Sequence, residues 1–186
     1  MAQETNKKVI VIDPDKCTGC HSCEMACSIK HFDVCGSGYS RIRIHEFRDV
    51  NTFIPIMCQA CEDAICIKVC PVNARVRQEN GAVVTDEERC IGCKACINSC
   101  PFGAVMINPV TEKTMSCDLC MEDELGPWCV KACTMQKALQ FVNVQDSVKA
   151  RGRNWTKLIK DEFSPSLKED EDSDENYGYG FDLTNK

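Results

Sequence analysis

Sixteen of the seventeen cysteines in this 186-residue chain fall into four groups of four, and no other feature restricts its fold as tightly. The third group, Cys90, Cys93, Cys96 and Cys100, shows the pattern most plainly. Three cysteines stand at every third position, a fourth follows after three more residues, and Pro101 comes next. A tight loop with every third side chain turned inward can wrap three corners of a cube of iron and sulfide, while the offset fourth cysteine points elsewhere. The proline lacks a backbone donor and fixes how the chain leaves the site. The first group is Cys17, Cys20, Cys23 and Cys27, and the second is Cys58, Cys61, Cys66 and Cys70, followed by Pro71. The fourth, Cys117, Cys120, Cys129 and Cys133, has its middle gap filled by Met121-Glu-Asp-Glu-Leu-Gly-Pro-Trp128.

This is the cluster-binding run of bacterial ferredoxins. Structural zinc sites instead use cysteine pairs separated by a longer arm. The four groups are therefore read as ligands of four [4Fe–4S] clusters, with room in the wide fourth group for another cluster type. The opening Met1-Ala-Gln-Glu-Thr-Asn-Lys-Lys8 shows neither an apolar signal region nor a twin arginine. No apolar run approaches the roughly 18 residues of a membrane helix. A reducing cytoplasm is the expected compartment, because clustered cysteines there hold metal more often than they pair. The odd cysteine count also disfavours a complete disulfide framework. Little sequence remains for an ordinary apolar core, so the clusters are expected to act as core and the apo-protein to fold poorly.

Charge divides the chain. Residues 1–160 hold 20 Lys and Arg against 19 Asp and Glu, whereas residues 161–186 hold 2 against 9, which together give the net charge of −6. Neither part carries the basic patch of a nucleic-acid surface. No Ser/His/Asp set, phosphate loop or dinucleotide fingerprint appears, and the chain is expected not to be an enzyme by itself.

Short strands are expected at Lys8–Asp13, at Arg41-Ile-Arg-Ile-His45 with its Ile face inward and its Arg/His face outward, at Ala82–Thr85 and at Leu139–Val144. Asn108-Pro109 predicts a hairpin between Val105–Ile107 and Lys113–Met115. An internal repeat supports duplication of a strand–loop–helix unit: Asp13, Lys16 and Gly19 stand around Cys17 as Asp86, Arg89 and Gly92 stand around Cys90. Residues 148–160 read as a basic helix and 161–186 as an acidic tail. Tyr177, Tyr179 and Phe181 in that tail could anchor it on another subunit.

Prolines follow Cys70 and Cys100 but not Cys27 or Cys133, which suggests that the second and third groups form one dicluster unit inside another. If ligands exchange as in two-cluster ferredoxins, Cys100 joins Cys58, Cys61 and Cys66, and Cys70 joins Cys90, Cys93 and Cys96. In the outer pair, Cys133 joins Cys17, Cys20 and Cys23, and Cys27 joins Cys117, Cys120 and Cys129. The fold class is thus α+β: two nested bacterial dicluster-ferredoxin-like modules, with short strands and helices around four clusters and an extended C-terminal tail. The outer module takes residues 1–50 and 110–147, and the inner one 51–109. Cys35 is read as a buried or incidental thiol, His21, His31 and His45 as surface or supporting groups, and the methionines near the loops as packing.

Four groups in this order, the last widened, resemble the four-cluster ferredoxin-like subunits of molybdenum and tungsten oxidoreductases over about residues 8–145. Cys23-Glu-Met-Ala-Cys27-Ser-Ile-Lys-His31 and Ser40-Arg-Ile-Arg-Ile44 are most similar to small subunits of tungsten enzymes of the aldehyde:ferredoxin oxidoreductase family. That group includes class II benzoyl-CoA reductases and multi-subunit aldehyde oxidoreductases. Gly36-Ser-Gly38 beside Cys35 departs from the Asn-Pro expected there. The resemblance implies an electron-transfer subunit bound to a large tungsten or molybdenum pterin catalytic subunit, with a further redox subunit or soluble ferredoxin as second partner. A diffusible polyferredoxin, and an electron-transfer subunit of a hydrogenase or carbon-monoxide dehydrogenase, share the cysteine pattern and stay open. A regulatory redox sensor is also open, although one labile cluster would suffice for it.

Overall fold

The computed structural model describes residues 7–133 and 137–144. The elements in chain order begin with β1 (Lys8–Ile12), α1 (Ser22–Phe32), β2 (Arg43–Phe47), β3 (Thr52–Ile56), α2 (Ile65–Lys68) and β4 (Arg75–Arg77). They continue with β5 (Val83–Thr85), α3 (Ala95–Asn98), β6 (Met106–Ile107), β7 (Thr114–Met115), α4 (Trp128–Ala132) and β8 (Leu139–Asn143). The basic helix and acidic tail expected over 148–160 and 161–186 lie outside the described residues.

Each sheet is an antiparallel two-stranded ribbon, so the fold is a small mixture of helix and strand with no closed barrel among the described residues. Three ribbons are local hairpins: β2–β3, β4–β5 and β6–β7. The fourth joins the ends of the described chain, with Lys8 opposite Asn143 and Ile12 opposite Leu139. Ile10 and Val11 of β1 point to opposite faces, yet both are buried, so this ribbon is covered on both sides. Two-stranded ribbons are marginal alone and need packing on a face. Here α1 packs on α4, and α2 packs on α3. The helices that carry the first and fourth cysteine groups therefore touch each other, as do those of the second and third.

The hairpin expected around Asn108-Pro109 forms. The Asn108 side chain accepts the N–H groups of Val110 and Thr111 at 2.9 and 3.3 Å, and Asn108 N–H donates to Lys113 O at 2.7 Å. The strand expected from Arg41 begins instead at Arg43. Ile42 is buried as expected, but Arg41 does not face solvent: its guanidinium donates to Asp118 Oδ2 at 2.6 Å. A carboxylate 77 residues away in sequence sets that direction, which the local alternation could not register.

The buried apolar cluster joins Ile10, Ile42, Met57, Leu119 and Leu139 to Cys23, Cys27 and Cys129. Cysteine side chains are thus part of the core rather than an addition to it.

Candidate metal centre

The four groups share one local device. The residue two positions after the first cysteine has left-handed backbone in every group: Gly19 (φ 67°), Ala60 (φ 47°), Gly92 (φ 69°) and Leu119 (φ 62°). That turn aims the residue's N–H at the sulfur of Cys17, Cys58, Cys90 and Cys117, respectively. Left-handed backbone costs an L-residue about 1–2 kcal/mol. Only two of the four positions are glycine, which is why the repeat is visible in sequence for the first and third groups alone. At Gly19 space also excludes a side chain: an added Cβ would lie 2.4 Å from the Phe53 ring.

A second device follows two of the last cysteines. After Cys70 and Cys100 the chain runs Pro-x-Asn/Gly-Ala, with Asn73 (φ 51°) and Gly103 (φ 60°) in left-handed backbone. Each turn places an alanine N–H on the cysteine sulfur: Ala74 on Cys70 at 3.2 Å and Ala104 on Cys100 at 3.4 Å. The residues after the prolines, which carry no side-chain chemistry, supply backbone donors that sequence inspection passes over.

Cysteines from different groups come together. Cys70 lines one void with Cys90, Cys93 and Cys96. Negative charge on Cys133 acts on Cys17, and charge on Cys27 acts on Cys117, Cys120 and Cys129. Within the second group, Cys66 and Cys61 act likewise on Cys58. Burial pushes the Cys23 thiol up to about 12, and raises Cys117 and Cys129 well above the ordinary thiol range. Cys70 and Cys90 differ. Burial opposes their ionisation too, yet backbone N–H groups hold both below the ordinary value, from Val72, Ala74 and Arg75 at Cys70 and from Thr114 and Gly92 at Cys90. Thiols crowded in this way have to lose their protons to ligate metal, and the metal charge then offsets the repulsion. Cys20 and Cys93 are exposed.

Several supporting residues give no signal in the sequence. Arg75 is 2% exposed; it donates from Nη1 to Thr85 Oγ1 at 2.6 Å and from Nη2 to Ser116 Oγ at 3.0 Å and Val83 O at 3.2 Å. Glu24, 3% exposed, accepts Ile44 N–H at 2.6 Å on Oε1, while its Oε2 lies 3.1 Å from His21 Nδ1. Nε2 of His21 reaches Glu46 at 3.1 Å, so this histidine links α1 to β2. His31 stands with Asp118 and Cys120, and burial, followed by the Arg41 charge, holds it below the usual histidine range. His45 is exposed, and Cys35 is exposed with its sulfur 3.3 Å from Met25 Sδ. The long gap of the fourth group folds around Asp123. Its carboxylate takes Trp128 Nε1–H at 2.5 Å and Leu125 N–H at 2.9 Å, and ion-pairs with Lys30 at 3.1 Å. These partners hold the Asp123 carboxyl down to about 2.

Four cysteine groups at ferredoxin spacing, each with a backbone donor on its first sulfur, define an iron–sulfur protein of the ferredoxin type. A 4Fe-4S dicluster domain matches residues 50–144 and a 4Fe-4S binding domain matches residues 8–28. The chain is 36% identical over 155 residues to the thiosulfate reductase electron transfer subunit PhsB of Salmonella typhi, covering 77% of this chain and 79% of that one. It is 38% identical over 146 residues to the electron transport protein HydN of Escherichia coli K12, covering 68% and 83%. Among solved structures, a chain of the active site complex BamBC of benzoyl coenzyme A reductase aligns at 27% identity and a TM-score of 0.45, over 73% of this chain and 75% of its own. The chain belongs to the ferredoxin-like 4Fe-4S dicluster family of electron-transfer proteins. No helix among the described residues is long and apolar enough to cross a membrane.

Proposed function

We propose that this chain is a non-catalytic electron-transfer subunit that holds four [4Fe–4S] clusters and relays electrons to or from a tungsten or molybdenum pterin catalytic subunit. A [4Fe–4S] cluster supplies one-electron transfer at a potential between about −700 and +450 mV, set by hydrogen bonds to sulfur, charge and exposure. In the inner module, Cys58, Cys61, Cys66 and Cys100 hold one cluster, and Cys90, Cys93, Cys96 and Cys70 hold its mate. In the outer module, Cys17, Cys20, Cys23 and Cys133 hold one, and Cys117, Cys120, Cys129 and Cys27 the other. The observation that carries this assignment is the void lined by Cys70 together with Cys90, Cys93 and Cys96, since Cys70 there has left its own group in sequence.

The chain's own residues prepare the sites in three ways. Left-handed turns bring N–H donors to the first cysteine of each group. Buried Met57, Ile42 and Leu139 keep water from the sulfurs. Hydrogen bonds to sulfur from Ala74, Ala104 and Arg41 favour added negative charge. Sixteen cysteines committed to metal suit a reducing cytoplasm.

The partner assignment draws on the likeness of Cys23–His31 to small subunits of tungsten enzymes, and on a relative that is the electron transfer subunit of a reductase. A reductase acting on an aromatic acyl-CoA and a dehydrogenase acting on an aldehyde both suit it, with a further redox subunit or soluble ferredoxin taking the other electron contact. Anaerobic native purification with elemental analysis tests the reading. Tungsten or molybdenum in a co-eluting larger subunit is the expected result. Nickel would replace the assignment with a hydrogenase or carbon-monoxide dehydrogenase, and elution alone would replace it with a diffusible polyferredoxin.

A further inference from the structure

Two arginines share an arrangement that cluster ligation alone does not require. Among the described residues, the buried side-chain nitrogens and oxygens left without a hydrogen-bond partner are two: Nε of Arg41 and Nε of Arg75. Each arginine also turns its backbone N–H to the last sulfur of a cysteine group. Arg41 N lies 3.3 Å from Cys27 Sγ, and the Arg75 N–H faces Cys70. These are two of the four cysteines assigned above to clusters outside their own groups, one from each module. The two arginines lie at different distances after those cysteines in sequence, so the match is one of space and not of repeat.

Their charges are balanced differently. Arg41 pairs with Asp118 at 2.6 Å. No carboxylate among the described residues pairs with Arg75, whose guanidinium bonds two neutral hydroxyls and one carbonyl and has Cys66 Sγ 3.9 Å from Nη2. A buried cation without a counter-charge is strongly unfavourable, and Arg stays protonated under any ordinary condition. Arg75 lines the void beside Cys70, Cys90, Cys93 and Cys96. It stands between the two inner groups, with Cys66 of the second 3.9 Å from Nη2 and Cys90, Cys93 and Cys96 of the third around the same void. The counter-charge this position calls for is an anionic cluster on either side.

We propose that Arg41 and Arg75 each give the spare Nε–H to a sulfur of the cluster beside them, and that Arg75, lacking a carboxylate, makes both inner clusters easier to reduce. The inference rests on the four-cluster assignment above. In the reduction one electron arrives from the redox partner, or from dithionite in the test, and the arginine keeps its proton throughout.

The test is an anaerobic redox titration of the native complex, followed by EPR, on the wild type and the Arg75→Gln, Arg75→Lys and Arg41→Gln variants, with iron counted in each. Arg75→Gln keeps iron near the wild-type value. At fixed potential it lowers the reduced-to-oxidised ratio of two clusters by about tenfold, equivalent to about 59 mV for a one-electron couple. Arg75→Lys, which retains the charge, recovers most of that ratio. Arg41→Gln, whose charge Asp118 already balances, shifts it less. Independently of any variant, wild-type protein labelled with 15N at arginine Nε shows hyperfine coupling to a reduced cluster in pulsed EPR. An unchanged titration, or no arginine coupling in fully loaded wild type, overturns the arginine proposal. Wild-type iron well below about 16 per chain instead overturns the four-cluster assignment beneath it.

Discussion

Gly19 and Gly92 occupy the same place in the repeat and have nearly the same backbone, φ 67° and 69°, but different surroundings. An added Cβ at Gly19 would lie 2.4, 2.6 and 2.8 Å from three atoms of the Phe53 ring; at Gly92 the nearest atom, Glu112 O, is 3.6 Å away. Alanine at either position meets the left-handed penalty of about 1–2 kcal/mol. At Gly19 the overlap adds about 1–3 kcal/mol, and relieving it moves the N–H that faces Cys17. Gly19→Ala is therefore expected to cost about 2–5 kcal/mol and Gly92→Ala about 1–2. The assay is the rate of cluster loss in guanidinium under strict anaerobiosis, read as bleaching of the visible absorbance. Each 1.4 kcal/mol is worth about tenfold in rate, so Gly19→Ala should bleach about tenfold faster than Gly92→Ala or more. Adding Phe53→Ala to Gly19→Ala removes the overlap and should leave the glycine penalty alone, appearing as a favourable coupling in a double-mutant cycle. Equal bleaching by the two alanine variants, or no coupling to Phe53, would refute the reasoning.

Four further outcomes are expected. Ala60→Gly relieves left-handed backbone in the second group and should slow cluster loss or leave it unchanged, as measured in the same assay. Glu24→Ala strips a buried acceptor from Ile44 N–H and should cost about 1–3 kcal/mol, with hydrogen exchange at Ile44 accelerating before that at β1. Arg77→Ala frees the carbonyls of Ala60, Cys61, Glu62 and Gly81 that its guanidinium holds, and should raise exchange across residues 58–62 with little change at the fourth group. Cys70→Ser should perturb the EPR signal of the cluster held by Cys90, Cys93 and Cys96; loss of the one at Cys58, Cys61 and Cys66 would contradict the ligand exchange.

Much of the fold was legible because cysteine spacing and short apolar runs are local signals. β1, β5, β8 and the β6–β7 hairpin lie where alternation and turn residues place them. The Gly19/Gly92 repeat correctly marked a backbone demand, but the same turn is made by Ala60 and Leu119, whose side chains hide it. Local pattern could not show that Arg41 turns inward, because its partner Asp118 is distant in sequence. Nor could it distinguish Arg75 from the exposed Arg77 two residues on: in β4 the two share one face, and only the third dimension covers Arg75 and leaves Arg77 in solvent. Asp123 was likewise only one charge within an acidic loop, until Trp128 and Lys30 closed on it.

The central claim is that four complete cysteine groups hold four iron–sulfur cubes in one electron-transfer subunit. Iron, acid-labile sulfide and zinc counted per chain in anaerobically isolated protein test it most directly. The account predicts about 16 iron and 16 sulfide with negligible zinc. About four zinc per chain without sulfide would contradict it, and about eight iron would reduce the protein to a single dicluster unit.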